Sequence, residues 1–154
     1  MQDTEFVISK YGDMLFRLSL VQLKNTADAE DAVQEVFLTY IKKHPAHKSE
    51  EHRKAWLIRV CANKCHDIQR KNKLRCHQSI DEIGEEYSMQ DTDKGIISAL
   101  MSLPEKYSRA MMLYYVEGYS VKEIAGIIGR TESAVKMRLK KGRDLFKTLL
   151  EENT

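Results

Sequence analysis

The chain predicts an all-α protein of two small helical domains joined by a flexible acidic linker, and three observations carry that reading. Apolar residues recur at spacings of three and four over most of its 154 positions. Only two prolines and seven glycines interrupt a chain that is 31% charged, and no alternating run reads as a strand. Between the two periodic stretches lies CHQSIDEIGEEYSMQDTD, Cys76 to Asp93. It carries Asp81, Glu82, Glu85, Glu86, Asp91 and Asp93 with no Lys or Arg, and little periodicity beyond Ile80 and Ile83. The expected division is therefore 1–75, a linker at 76–93, and 94–154.

The totals bound the possible classes. No apolar run approaches the ~20 residues of a membrane span, and the N-terminus lacks a signal-peptide core, so a cytoplasmic location is expected. Three cysteines, an odd number, argue against a secreted disulfide framework. Net charge is only +2, but it is segregated. Basic residues gather at 53–75 and 130–147, acids at 28–35 and 81–93. That pattern implies two kinds of partner, one polyanionic and one that accepts an acidic surface.

The first helix is expected from about Asp3 to Leu23. Tyr11, Leu15 and Leu18 form its stripe with Ile8 before it, widened by Phe6, Val7, Met14, Phe16 and Leu20. Asn25 and Thr26 break the pattern. Thr26 can cap a second helix, with Asp28 and Glu30 favouring its dipole. Ala29, Val33, Val36, Phe37 and Tyr40 should be buried, while Asp31, Gln34 and Glu35 form one acidic face. The stretch His44 to His52, HPAHKSEEH, reads as a loop. A third helix comes next, from about Arg53 to Lys73, burying Leu57, Cys61, Cys65 and Ile68. Its opposite side carries Arg59, Asn63, Asp67 and Arg70, flanked by Lys64 and Lys71. Cations there can hold phosphates, and Asn and Asp can read base edges. A solvated face would show the same spacing.

In the second domain Ile96, Ile97, Leu100, Met101 and Leu103 mark a short helix, and Pro104 suits the first turn of the next. Tyr107, Ala110, Met111, Leu113 and Tyr114 supply that helix's buried side, and Gly118 closes it. Ser120 with Glu123 is a capping box. Val121, Ile124, Ala125 and Ile128 share a buried side, and Gly129 supplies the positive φ of a tight corner. Thr131 can cap the last helix, where Val135 and Leu139 continue the apolar seam. Left outside are Arg130, Thr131, Glu132, Ser133, Lys136, Met137, Lys140 and Lys141. This is the pattern of a DNA-reading helix-turn-helix domain. An ordinary helical hairpin would explain the apolar positions, but not the accumulation of Lys136, Arg138, Lys140, Lys141 and Arg143.

Taken in order, the pieces resemble a bacterial RNA polymerase sigma factor of the extracytoplasmic-function (ECF) group. The resemblance rests on DAEDAVQEVF (Asp28 to Phe37), KAWLIRVCANKCHDIQR (Lys54 to Arg70), Leu103 to Tyr107 with Arg109, and Gly118 to Ala125 followed by Ala134-Val135-Lys136 and Arg138-Leu139. It implies a role in transcription initiation, with core RNA polymerase and promoter DNA as partners. Asp31, Gln34 and Glu35 match the positions that dock on the polymerase clamp helices. The loop His44–His52 corresponds to the segment that pockets a flipped-out base of the −10 element. Asn63, Lys64, Asp67, Arg70 and Lys71 match the helix facing that element. Arg130, Thr131, Glu132, Ser133, Lys136, Met137, Lys140 and Arg143 belong to the reader of the −35 element. The acidic linker resembles the segment that threads the polymerase channels. Members of the group are often held inactive by an anti-sigma factor, which makes one a candidate partner.

Two other readings stay open at this point. A free-standing helix-turn-helix transcription regulator would explain 120–143 but leave the Asn63, Asp67 and Arg70 face unused. A zinc site could draw on Cys61, Cys65, His66, Cys76 and His77. Cys61 and Cys65 fall on the buried side of their helix, however, and the paired short spacings of such sites are missing, so no metal is expected. No Ser-His-Asp set, phosphate loop or catalytic acid pair stands out, so neither an enzyme, a cofactor nor a small-molecule substrate is expected.

Overall fold

The computed structural model describes residues 2–72 and 91–152. The described elements are seven α-helices and one π-helical turn. The chain divides into two compact units, Met1–Met89 and Gln90–Thr154. Positions 76–90 of the expected linker, including Cys76 and His77, lie outside the described residues, whereas 91–93 open a helix instead.

In the first unit, α1 (Gln2–Leu23), α2 (Thr26–Lys43) and α3 (Glu50–Lys71) pack pairwise against one another. Tyr11, Leu15, Phe16 and Leu20 of α1 meet Ala29, Val33, Val36 and Tyr40 of α2 and Leu57, Cys61 and Cys65 of α3 in one core. Three sequence expectations need correction. Phe6 and Ile8 are exposed: each is about 100° of helix away from the fully buried Val7, which alone of the three faces the neighbouring helices. Asn25, not Thr26, caps α2: its extended backbone lets the side chain accept from the Asp28 N–H at 2.9 Å. The helix α3 starts at Glu50, inside the expected loop, because Ser49 caps it by accepting from the His52 N–H at 3.1 Å. The connection is thereby shortened to 44–49.

The second unit contains α4 (Asp91–Leu100), α5 (Glu105–Met111), a π-helical turn (Met112–Val116), α6 (Val121–Ile128) and α7 (Glu132–Glu152). Ile97, Leu100, Leu103, Met112, Leu113, Ile124, Val135 and Leu139 fill its core. The π turn explains one misplacement here. Its wider hydrogen-bonded ring, seen in the Glu117 N–H bond to the Met112 carbonyl, adds a residue to the turn and shifts the phase. Met112 is therefore buried, while Tyr114, expected inside, is exposed. Likewise Ile127 is buried and Ile128 only half-buried. Gly142 lies where α7 crosses α5, and a Cβ added to it would stand 2.5 Å from Met111 Sδ. No described helix is long and apolar enough to cross a membrane.

Candidate nucleic-acid and protein interfaces

On α2, the residues buried at Ala29, Val33, Val36, Phe37 and Tyr40 leave Asp31, Gln34 and Glu35 exposed along one side. Leu38, 58% exposed, continues that row one turn on, and Ile41 is also exposed. Sequence reading passed over both. An acidic row ending in bare aliphatic side chains suits a protein partner better than a solvated face does.

Asp31, Gln34 and Glu35 share a cleft of about 340 Å³ with Lys64, Asp67 and Lys71 of α3. Its remaining walls are Asp28, Ile68 and Asn72. The acidic face of α2 and part of the mixed face of α3 are thus two walls of one groove. Asn63 is exposed and does not line this groove, and neither does Arg70, whose guanidinium donates to the Asp67 carboxylate. Cys61 and Cys65 are buried and form no disulfide, and among the described residues no cluster of His, Cys, Asp and Glu could hold a metal ion.

The loop 44–49 is fastened from beneath. His44 ends α2 in the left-handed region, at φ 44°, and turns the chain out of the helix. The His47 ring then folds back. It stacks on Tyr40 at 5.9 Å between centroids and stands edge-on to Trp56 at 6.4 Å and to His52 at 5.9 Å. Around this box runs a polar network. Tyr40 donates to Asp3, Tyr11 donates to Glu50, and Arg53 pairs with Asp3 at 3.2 Å and Glu50 at 3.3 Å. Burial, and then the bond to Asp3, push the Tyr40 hydroxyl up to about 12. The Tyr40 hydrogen bond and Arg53 hold Asp3 below the usual carboxylate range, and Tyr11 and Arg53 do the same for Glu50.

In the second unit the helix-turn-helix signals are realised locally. Ser120 and Glu123 form a reciprocal capping box, with bonds of 2.9 and 3.1 Å. Gly129 turns the corner at φ 69°, and Thr131 accepts from the Ala134 N–H at 3.1 Å. Arg130, Thr131, Glu132, Ser133, Lys136, Met137 and Lys140 are all exposed, Met137 at 72%. Arg143 is exposed too, but lies apart in its contacts: it donates to the Tyr115 hydroxyl at 3.2 Å and borders a cavity of about 370 Å³ with Ile96, Leu100 and Phe146. At the corner itself, Arg138 is held below its ordinary value by partial burial and by the guanidinium groups of Arg130 and Arg109. Arg130 of the turn and Arg109 of α5 thus act on the charge of Arg138, and Arg109 is itself paired with Glu105 at 2.8 Å. Sequence reading missed Arg109 as part of this set, because its spacing from the corner carries no local signal.

Models of sigma-70 region 2 and sigma-70 region 4 match residues 7–75 and 94–145. The chain is 31% identical to the ECF RNA polymerase sigma factor SigM of Bacillus subtilis over 152 residues, covering 93% of this chain and 92% of that protein. It is 26% identical over 139 residues to SigM of Mycobacterium tuberculosis, covering 88% and 71%. Among solved structures it is similar to the sigma factor RpoE of Bartonella quintana, determined in complex with the anti-sigma factor NepR, with a TM-score of 0.76 at 20% identity over 98% of both chains. CnrH, in complex with the cytosolic domain of CnrY, also gives a TM-score of 0.76, at 19% identity over 99% and 90%.

Proposed function

Since the chain belongs to the ECF group of sigma factors, which direct RNA polymerase to promoters, we propose how its two units divide that task. The α2 row of Asp31, Gln34, Glu35 and Leu38 grips core polymerase. The α3 side with Asn63, Lys64, Asp67, Arg70 and Lys71, together with loop 44–49, meets the −10 element. The α7 face reads the −35 element. The observation that carries this division is the opposite chemistry of two outward helix faces, carboxylate and aliphatic on α2, cationic and amphipathic on α7.

The energetics derive from residue type. Arg130, Lys140 and the convergent Arg109 and Arg138 supply phosphate affinity that weakens with salt but carries no sequence information. Arg143 adds to this from its place beside Tyr115. Glu132, Ser133, Lys136 and Met137 supply base contacts worth roughly 1–3 kcal/mol of discrimination each. Base capture by loop 44–49 offsets an unstacking cost of about a few kcal/mol and so favours opened DNA. No covalent step is assigned to this chain, and no cofactor or small-molecule substrate is needed. Because RpoE is described with an anti-sigma factor, an anti-sigma factor is also the expected regulatory partner here.

Run-off transcription with core polymerase on a promoter library, with and without the chain, tests the assignment. Initiation should depend on the chain and select two sequence elements. Charge reversal at Lys136 and Lys140 should abolish selection of the upstream element while core binding stays intact. Alanine at Asp31, Gln34 and Glu35 should weaken core binding and, with it, initiation from every promoter. A protein that footprints duplex DNA equally well without polymerase would instead be a free-standing regulator.

A further inference from the structure

Within loop 44–49, His44, Ala46, Lys48 and Ser49 are exposed, while Pro45 and His47 are half-buried. His47 is the residue whose ring enters the box of Tyr40, Trp56 and His52. Both of its ring nitrogens are shielded from solvent, and neither finds a hydrogen-bond partner among the described residues. A neutral imidazole leaves one N–H and one ring nitrogen unpaired in such a seat, a smaller cost than burying a charge. An imidazolium has two N–H donors and a charge, and there it would lose hydration with nothing to replace it. A second tie joins the loop to α3: the Lys48 N–H donates to His52 Nδ1 at 3.2 Å. The floor beneath is rigid, since the Asp3, Tyr40, Arg53 and Glu50 network locks the start of α1, the end of α2 and the start of α3 together.

Resting on the assignment of 44–49 to base capture, we propose that His47 is a positioning residue for promoter opening. Seated as a neutral ring, it fixes the exposed backbone and Lys48 of the loop for the flipped base, and its protonation unseats them. The charged groups around it come from each packed element: Asp3 of α1, the Tyr40 hydroxyl of α2, and Glu50, His52 and Arg53 of α3. Asp3 and Glu50 favour the imidazolium, but burial, Arg53 and His52 outweigh them and hold His47 below its ordinary 6.5. The sign is that of a depressed histidine. The unfolded or unseated ring binds the proton first, so the anchor is complete above about 6.5 and weakens as pH falls through the lowered value.

Trp56 is the chain's single tryptophan, which gives a direct probe. Its emission in the full chain should fall reversibly as pH drops below about 6.5, because unseating the ring opens the indole to water. The fall should persist in His52→Gln and vanish in His47→Phe, which keeps a flat ring that cannot titrate. An undiminished fall in His47→Phe overturns the proposal. With holoenzyme on a template recovered from the run-off selection, His47→Ala should lose about tenfold in preference for the captured base, the scale of one lost base contact, with the upstream preference unchanged. His47→Phe should restore that preference and remove its pH dependence, a rescue that a general loss of stability would not give. A base preference in His47→Ala equal to wild type overturns the role of His47 alone. A wild type with no base preference at that position would instead sink the base-capture assignment beneath it.

Discussion

Arg53 in the first unit and Arg138 in the second are both partly sheltered guanidinium groups, and their surroundings are opposite. Arg53 is met by the carboxylates of Asp3 at 3.2 Å and Glu50 at 3.3 Å. Arg138 is met by Arg130 and Arg109, and of these Arg109 takes Glu105 at 2.8 Å. A cation that the fold supplies with counter-charge serves the fold. Cations that lie near one another repel, and an anion from outside would relieve that repulsion. The first unit thus pairs its sheltered guanidinium with carboxylates, whereas the cations of the second fit the phosphate contacts proposed for it.

The largest expected effect tests whether the two units stand on separate cores. Phe16→Ala empties a fully buried site of the first unit and should cost about 3–5 kcal/mol. Denaturant unfolding followed by Trp56 emission should shift accordingly, with the helical signal of the second unit left in place. A single merged transition would erase the distinction. Next, the two arginines should respond with opposite sign. Arg53→Met removes the shared cation of Asp3 and Glu50, which are both substantially exposed, and should destabilise by about 0.2–1 kcal/mol. Arg138→Met keeps the aliphatic packing and relieves repulsion, so stability should hold or rise slightly, while the salt slope of promoter binding falls by about 0.9 for the lost phosphate contact. Equal destabilisation by both would break the comparison. The smallest effect is in acid. Asp3 and Glu50 are depressed below 3.8 and 4.5, so their contribution is present above those values and is lost as pH falls through the lowered ones. Asp3→Asn with Glu50→Gln should remove that part of the acid transition at Trp56 and leave the second unit's transition alone.

How much of the molecule is legible in its sequence depends on the range of the interactions. The capping box at Ser120 and Glu123, the corner at Gly129 and the cap at Thr131 are signals between residues at most three apart, and each is realised at its expected position. The faces of α2 and α7 are legible because helical period alone sorts them. The seat of His47 is not, since Tyr40 and Trp56 belong to different helices and meet only when these pack. The convergence of Arg109 and Arg130 on Arg138 is hidden for the same reason. Phe6 and Ile8 look like core because three apolar residues in a row do not reveal that only the middle one, Val7, faces the neighbouring helices. Tyr114 is misplaced because a uniform period cannot anticipate a turn that holds an extra residue.

That extra residue has a consequence for how chains of this kind can change length. A π turn is one deletion away from an ordinary helical turn, and such a deletion would rotate the helix before it by about 100° relative to the segment after it. Tyr115 would swing away from Arg143, its present partner at 3.2 Å, and a different side chain would take its place without any substitution. Related proteins compared through this stretch should therefore be aligned by which side chains face inward, with a one-position gap allowed between Met112 and Val116.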